Sequence, residues 1–256
     1  MTTLVEPARP RAADFYRTNR GGGLFSEAIS QRIGAVIALG AERLGLTPTA
    51  LTLANLVIGL SVSITAVVLA GPVAAGSVPA WGVGLLVLVG WQLAYALDCA
   101  DGQLARVTGQ GSPAGARLDV LCDVAAQVGL ATVLSVTAVA QRPGTPVWLL
   151  TVFAGSLLVN LLTSVLQSGA SAASMVPSTS LPVRLIKLIR DYGAIVAVAG
   201  LVMAFVPSQA VWVIVVLTVV NGGFLLASIV FAARAALRTT PSSATRPSSS
   251  RPSSSR

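Results

Sequence analysis

Six apolar stretches, each near the length that crosses a bilayer, dominate this chain and leave few folds open to it. A helix needs about 20 predominantly apolar residues to span the hydrocarbon core. The stretches near residues 50–70, 79–101, 117–139, 146–168, 191–206 and 210–233 meet or approach that length. Charged residues make up 10% of the 256 and hydrophobic ones 54%, where a soluble domain carries roughly 25% charged residues. The expected fold is therefore all-α and integral to the membrane, with six transmembrane helices.

The flanks read differently from the spans. Residues 1–22 form an N-terminal segment rich in arginine, with no apolar run of the kind a cleaved signal peptide carries. Within 23–46, Ser26 can cap a helix start, and Ile29, Ile33, Val36, Ile37 and Leu44 recur at helical spacing among four charges. That pattern predicts an amphipathic helix lying at the membrane interface. Residues 47–236 hold the six spans. Residues 237–256 end in a Ser/Pro/Arg-rich run expected to be disordered. Six arginines precede the first span, and the second and fourth connections are also basic, while the first, third and fifth hold only Arg142 between them. Positive loops stay cytoplasmic. Both termini, and the connection between spans two and three, are thus expected on the cytoplasmic side of the plasma (inner) membrane.

That connection is where the chain departs from being merely apolar. Of nine acids, four fall between residues 98 and 123: Asp98, Asp101, Asp119 and Asp123. An aspartate at the centre of a spanning helix costs about 2.5–3.5 kcal/mol on insertion scales, so such residues are candidates for function. Asp98 and Asp101 are three apart and Asp119 and Asp123 four apart, so each pair shares a helix face. Gly109, Gly111, Pro113 and Gly115 permit a tight reversal between them, and antiparallel neighbours then bring all four carboxylates to one depth. Such a group would repel itself unless a cation sat within it. Hard divalent ions, Mg²⁺ or Mn²⁺, suit oxygen ligands that share coordination with phosphate, and two ions can serve a phosphoryl transfer. The chain has no histidine. That excludes Ser-His-Asp catalysis and His-ligated zinc, and points to a carboxylate as general base ahead of Lys, Tyr or Cys. Cys99 and Cys122 are too few for a disulfide framework or a zinc site and read as small packing residues.

The run Asp98-x2-Asp101-Gly102-x2-Ala105-Arg106-x8-Gly115-x3-Asp119-x3-Asp123 resembles the signature of the CDP-alcohol phosphotransferase family, with all eight positions present over 26 residues. The resemblance implies a membrane enzyme of phospholipid synthesis. An alcohol attacks a CDP-linked donor, usually CDP-diacylglycerol, the substituted phosphate moves to the alcohol, and CMP leaves. It also implies that Asp98, Asp101 and Asp119 hold metal, and that Asp123 touches the second ion and serves as the base. Gly102, Ala105, Arg106, Gly115 and Asp98 would lie around the CDP moiety, although Gly and Ala there also suit plain helix packing. Family members often carry Pro-Asn-x-x-Thr at the start of the first span. Here the run is Pro48-Thr49-x-x-Thr52, which leaves Thr52 as a nucleotide contact and Thr49 as a further candidate.

Arg184, Lys187 and Arg190 lie along one stripe before the fifth span. They either anchor that span or, as in relatives with phosphorylated acceptors such as inositol phosphate or glycerol phosphate, bind the acceptor. Asn55, Gln92, Gln127, Asn160 and Asn221 are expected to hydrogen-bond between helices, and Trp81, Trp91, Trp148 and Trp212 to act as interfacial anchors. Ala125-x3-Gly129 could pack within the chain or against a sister subunit, the family being commonly homodimeric. Partners are then a CDP-alcohol, an alcohol acceptor and membrane lipids, with no nucleic acid. An ion or proton transporter is the main alternative, but the acids gather at one end of the spans rather than along them. A prenyltransferase would have a different aspartate spacing, and a non-catalytic relative would not need all four acids.

Overall fold

The computed structural model describes residues 10–19, 23–167 and 190–238. Among these residues the chain is all-helical. A short helix α1 (Ala12–Arg17) and a π-helical turn (Ser26–Ser30) lead into α2 (Gln31–Arg43). There follow α3 (Pro48–Ala74), α4 (Ala80–Thr108), α5 (Pro113–Gln141), α6 (Val147–Gln167), α7 (Tyr192–Phe205), a 3-10 turn (Pro207–Gln209) and α8 (Ala210–Arg238). All six predicted apolar segments are helical. Four helical stretches are long and apolar enough to cross a membrane: Pro48–Ala74, Ala80–Thr108, Pro113–Gln141 and Pro207–Val230. Two more, Val147–Val159 and Tyr192–Phe205, are apolar but shorter. Val57, Ile64, Val68, Val89, Leu121, Val219 and Leu226 point outward, an apolar exterior that suits lipid and would be a liability in water.

The α4–α5 hairpin is set by local chemistry. Gly109 ends α4 in the left-handed region at φ +69°, a conformation that costs glycine little. Ser112 then caps α5, its hydroxyl accepting from Gly115 N–H at 3.0 Å, with Pro113 as first helical residue. Thr47 and Pro48 start α3 in the same way, Thr47 accepting from Ala50 N–H at 3.3 Å. Because α4 runs on past residue 101 to Thr108, the whole Asp98–Arg106 stretch lies on one helix.

Helix α4 sits centrally, packed against α2, α3 and α7. The main core gathers Val87 and Trp91 of α4, Leu130, Val133 and Leu134 of α5, Phe153 and Leu157 of α6, Val196 of α7 and Ile214 of α8. Close approach depends on small residues, as is usual between membrane helices. A Cβ on Gly84 would sit 2.1 Å from the backbone nitrogen of Ala204, so α4 and α7 touch backbone to backbone. Gly129 is buried against Ser63 of α3, so the small pair on α5 has a partner within the chain. Trp91 is not the interfacial anchor expected: it is buried and donates from Nε1 to Ser63 Oγ at 3.1 Å. Trp81, Trp148 and Trp212 are exposed.

The predicted helix at 26–46 is present, preceded by the π-helical turn. Its small residues Gly34, Ala35, Ala38 and Ala41 face inward and Ile29, Ile33, Val36 and Leu44 face outward. A Cβ on Gly34 would meet Cys99 Cβ at 2.9 Å and Ala96 O at 3.0 Å, which shows how closely α2 lies on α4. The sequence reading assigned no element to residues 12–17. There α1 buries Phe15 completely in a second core with Ala38, Leu51, Leu97 and Leu104.

Candidate active site

Helix geometry puts Asp98 and Asp101 one turn apart on α4, and the hairpin returns Asp119 of α5 beside them. One carboxylate oxygen from each of Asp98, Asp101 and Asp119 lies within 4.8 Å of the other two. Helix α3 steadies the α4 pair. Thr52 Oγ1 donates to Asp101 Oδ2 at 2.5 Å, and Asn55 Nδ2 donates to Asp98 Oδ1 at 3.2 Å. Each donor occupies one oxygen and leaves the other lone pairs for a further partner. Asp101 is 5% exposed, too deep for water alone to solvate its charge. Three clustered acids, each offering an oxygen and two of them held by neutral donors, fit a hard divalent cation.

Asp123 stands one turn along α5 from Asp119, outside that group of three. It lines two cavities together with Asp98. One is a recess of about 30 Å³ also walled by Asn55, Trp91 and Cys122. The other, of about 370 Å³, is walled by Tyr95, Gln127, Arg190 and Tyr192 as well. Arg190 is half-buried, its guanidinium 3.5 Å from the centre of the Phe224 ring, the arrangement of a cation over an aromatic face. Arg184 and Lys187 lie outside the described residues.

A family model for CDP-alcohol phosphatidyltransferase matches residues 45–220. The chain belongs to the CDP-alcohol phosphatidyltransferase family. It is thus a membrane transferase of phospholipid biosynthesis that moves a substituted phosphate from a CDP-alcohol to an alcohol. Membership sets aside the transporter reading. No curated protein matches the chain. The matched region starts just before α3 and ends within α8, so α1, the π-helical turn and α2 precede it.

The remaining signature positions of the transferase surround the acid group. A Cβ on Gly102 would lie 3.0 Å from Nη1 and 3.2 Å from Nη2 of Arg106, so the bare glycine gives the guanidinium room to fold back along α4. Arg106 stands near enough to Asp119 for the two charges to interact. Among the described residues, a Cβ on Gly115 would meet only Ser112 Oγ, at 3.2 Å. Its surroundings are otherwise open, and its N–H belongs to the Ser112 cap. Ala105 is half-buried on the same helix, and Thr49 is exposed in the first turn of α3. Two contributors escaped the sequence reading. Asn55 makes the interhelical hydrogen bond expected of it, but its partner is an acid of the cluster, for which its place one turn after Thr52 on α3 is the only signal. Asp191, which tethers the start of α7, had no local signal at all.

Proposed function

We propose that this transferase moves a phosphatidyl group from CDP-diacylglycerol to a phosphorylated alcohol, of the class of glycerol phosphate or inositol phosphate, with release of CMP. The observation that carries this reading is the shared wall. The cavity lined by Asp98 and Asp123 is lined by Arg190 as well, so an anionic acceptor would find a cationic residue beside the reacting centre.

In this reading Asp98, Asp101 and Asp119 hold the divalent ions, Mg²⁺ or Mn²⁺, with Asp123 reaching a second one. When bound, the ions supply neutralisation of phosphate charge and polarisation of the phosphoryl oxygens. Thr52 and Asn55 keep the two acids of α4 in orientation. The nucleotide lies along Thr52, Gly102, Ala105, Arg106 and Gly115, with Thr49 at its edge, and the open space beside Gly115 supports this placement. Arg190, with Arg184 and Lys187 from the preceding stretch, receives the acceptor's phosphate. Asp123 takes the proton from the acceptor hydroxyl as that oxygen bonds to the donor phosphorus next to the diacylglycerol. The bond from that phosphorus to the bridging pyrophosphate oxygen breaks, and CMP carries the oxygen away.

The site would face the cytoplasm, both termini lying on that side of a six-span bundle in the plasma membrane, because the basic connections alternate with nearly neutral ones. The π-helical turn and α2 would lie in the interface with Ile29, Ile33 and Val36 toward the acyl chains. A homodimer is part of the same reading, and the mass of the detergent-solubilised protein tests it. The function itself is tested by CMP release from CDP-diacylglycerol with glycerol 3-phosphate, inositol 1-phosphate, free inositol or serine. Turnover is expected only with a divalent ion and a phosphorylated acceptor. Equal use of serine or free inositol would contradict the acceptor class.

A further inference from the structure

Asp191 has no part in the chemistry above, yet it is 4% exposed and both of its oxygens are engaged. Oδ2 accepts from the Ser26 backbone N–H at 2.9 Å. Oδ1 accepts from Gly193 N–H at 3.1 Å and from the Ser26 hydroxyl. Capping α7 needs only the Gly193 bond. The two bonds from Ser26 join residues 165 apart in sequence and bring the start of the π-helical turn onto the start of α7. The approach is tight enough that a Cβ on Gly23 would fall 2.0 Å from Asp191 Oδ2.

The direction of the hydrogen bonds carries this contact into the active site. Ser26 Oγ spends its one proton on the carboxylate. Tyr95 OH, 2.9 Å away, is then the donor to Ser26 Oγ. Tyr95 lies one turn before Asp98 on α4 and lines the cavity with Asp98 and Asp123. Its ring meets Tyr192 edge-on, centroids 5.1 Å apart. Arg190, on the same cavity wall, is the residue next to Asp191 in the chain. One buried carboxylate therefore fixes two residues of the wall, Tyr95 through a hydroxyl relay and Arg190 through the backbone. Ser26, the other half of the tether, precedes the region that the family model matches. Gln92 adds a parallel tie, donating from Nε2 to Gly193 O at 2.6 Å.

We propose that Asp191, acting through Ser26, is a positioning residue for the acceptor: it sets Arg190 at the distance from Asp98 and Asp123 that the acceptor requires. This rests on the reading that Arg190 meets the acceptor's anionic group. Thr52 and Arg106, placed at the donor in the proposed reading, do not line the cavity that Tyr95 and Arg190 share, and no hydrogen bond of the tether reaches them.

The test is steady-state CMP release in detergent micelles with CDP-diacylglycerol, Mn²⁺, and glycerol 3-phosphate or inositol 1-phosphate as acceptor. It compares wild type, Ser26→Ala, Asp191→Asn, Arg190→Gln and the Arg190→Gln/Asp191→Asn double variant. Ser26→Ala and Asp191→Asn are expected to raise the acceptor KM about tenfold and to move the donor KM less than about twofold. The double variant should fall within about twofold of Arg190→Gln alone, since no guanidinium is left to position. Ser26→Ala keeps the backbone bond and carries the test should Asp191→Asn not fold. A loss of kcat with both KM values unchanged, or effects of the two substitutions that multiply, would reduce the tether to packing and overturn the proposal. No response to Arg190→Gln, or turnover confined to uncharged acceptors, would instead remove the anionic-acceptor reading beneath it.

Discussion

The two halves of the acid cluster are held differently. On α4, Asp98 and Asp101 each receive a side-chain hydrogen bond from α3, by Asn55 and Thr52. On α5, no side-chain hydrogen bond reaches Asp119 or Asp123 among the described residues, and Asp123 faces the larger cavity. A carboxylate already committed to a neutral donor is oriented before anything binds, which suits a ligand whose geometry must not wander. One without that commitment can accept a proton without breaking a bond, which suits a base. The α4 acids are thus fixed from α3 while the α5 acids are not; in the proposed reading Asp119 joins the α4 pair at the metal and Asp123 alone is left to react.

The largest expected effect comes from Asp101→Asn, which should abolish turnover and metal-dependent nucleotide binding together, as read by CMP release and by binding of a labelled CDP-lipid. Asp123→Asn should lower kcat by about 10²–10⁴-fold, the range for a lost general base, while nucleotide binding persists. Loss of binding in both variants would erase the distinction between Asp123 and the acids that hold the metal. Asn55→Ala should weaken metal affinity or activity by about 10–100-fold, the usual cost of losing a group that orients a ligand. Added Mn²⁺ should restore much of the loss. An effect as large as that of Asp101→Asn would mean that Asn55 touches substrate. Arg190→Gln should raise the acceptor KM by about tenfold, about 1.4 kcal/mol, without altering metal affinity. The smallest change is expected from Ser112→Ala. It removes the α5 cap at a cost of about 0.5–2 kcal/mol in stability, visible as a lower melting temperature with near-normal activity per folded molecule.

Much of this was legible in the sequence because it depends on short-range periodicity. The aspartate spacings of three and four, the glycines and proline between the pairs, and the apolar runs all act within one or two helical turns. They therefore specify the hairpin and the acids' shared depth. What was not legible depends on contacts between distant segments. Nothing near Asp191 reveals that Ser26 will meet it, and nothing near Phe15 reveals the core that buries it. Trp91 was misread because its distance from a predicted helix end says nothing of what faces it; Ser63 on α3 supplies the partner for its indole N–H. Gly115 belongs to the reversal as its spacing suggests, and its N–H serves the Ser112 cap.

Binding of Mn²⁺ followed by electron paramagnetic resonance tests the central claim most directly, on purified wild-type protein and on Asp101→Asn, with CDP-diacylglycerol present. If carboxylates of α4 and α5 share a divalent ion, wild type will show bound Mn²⁺ at stoichiometric levels and Asp101→Asn will leave the ion free in solution. Equal Mn²⁺ binding by the two proteins would contradict the account.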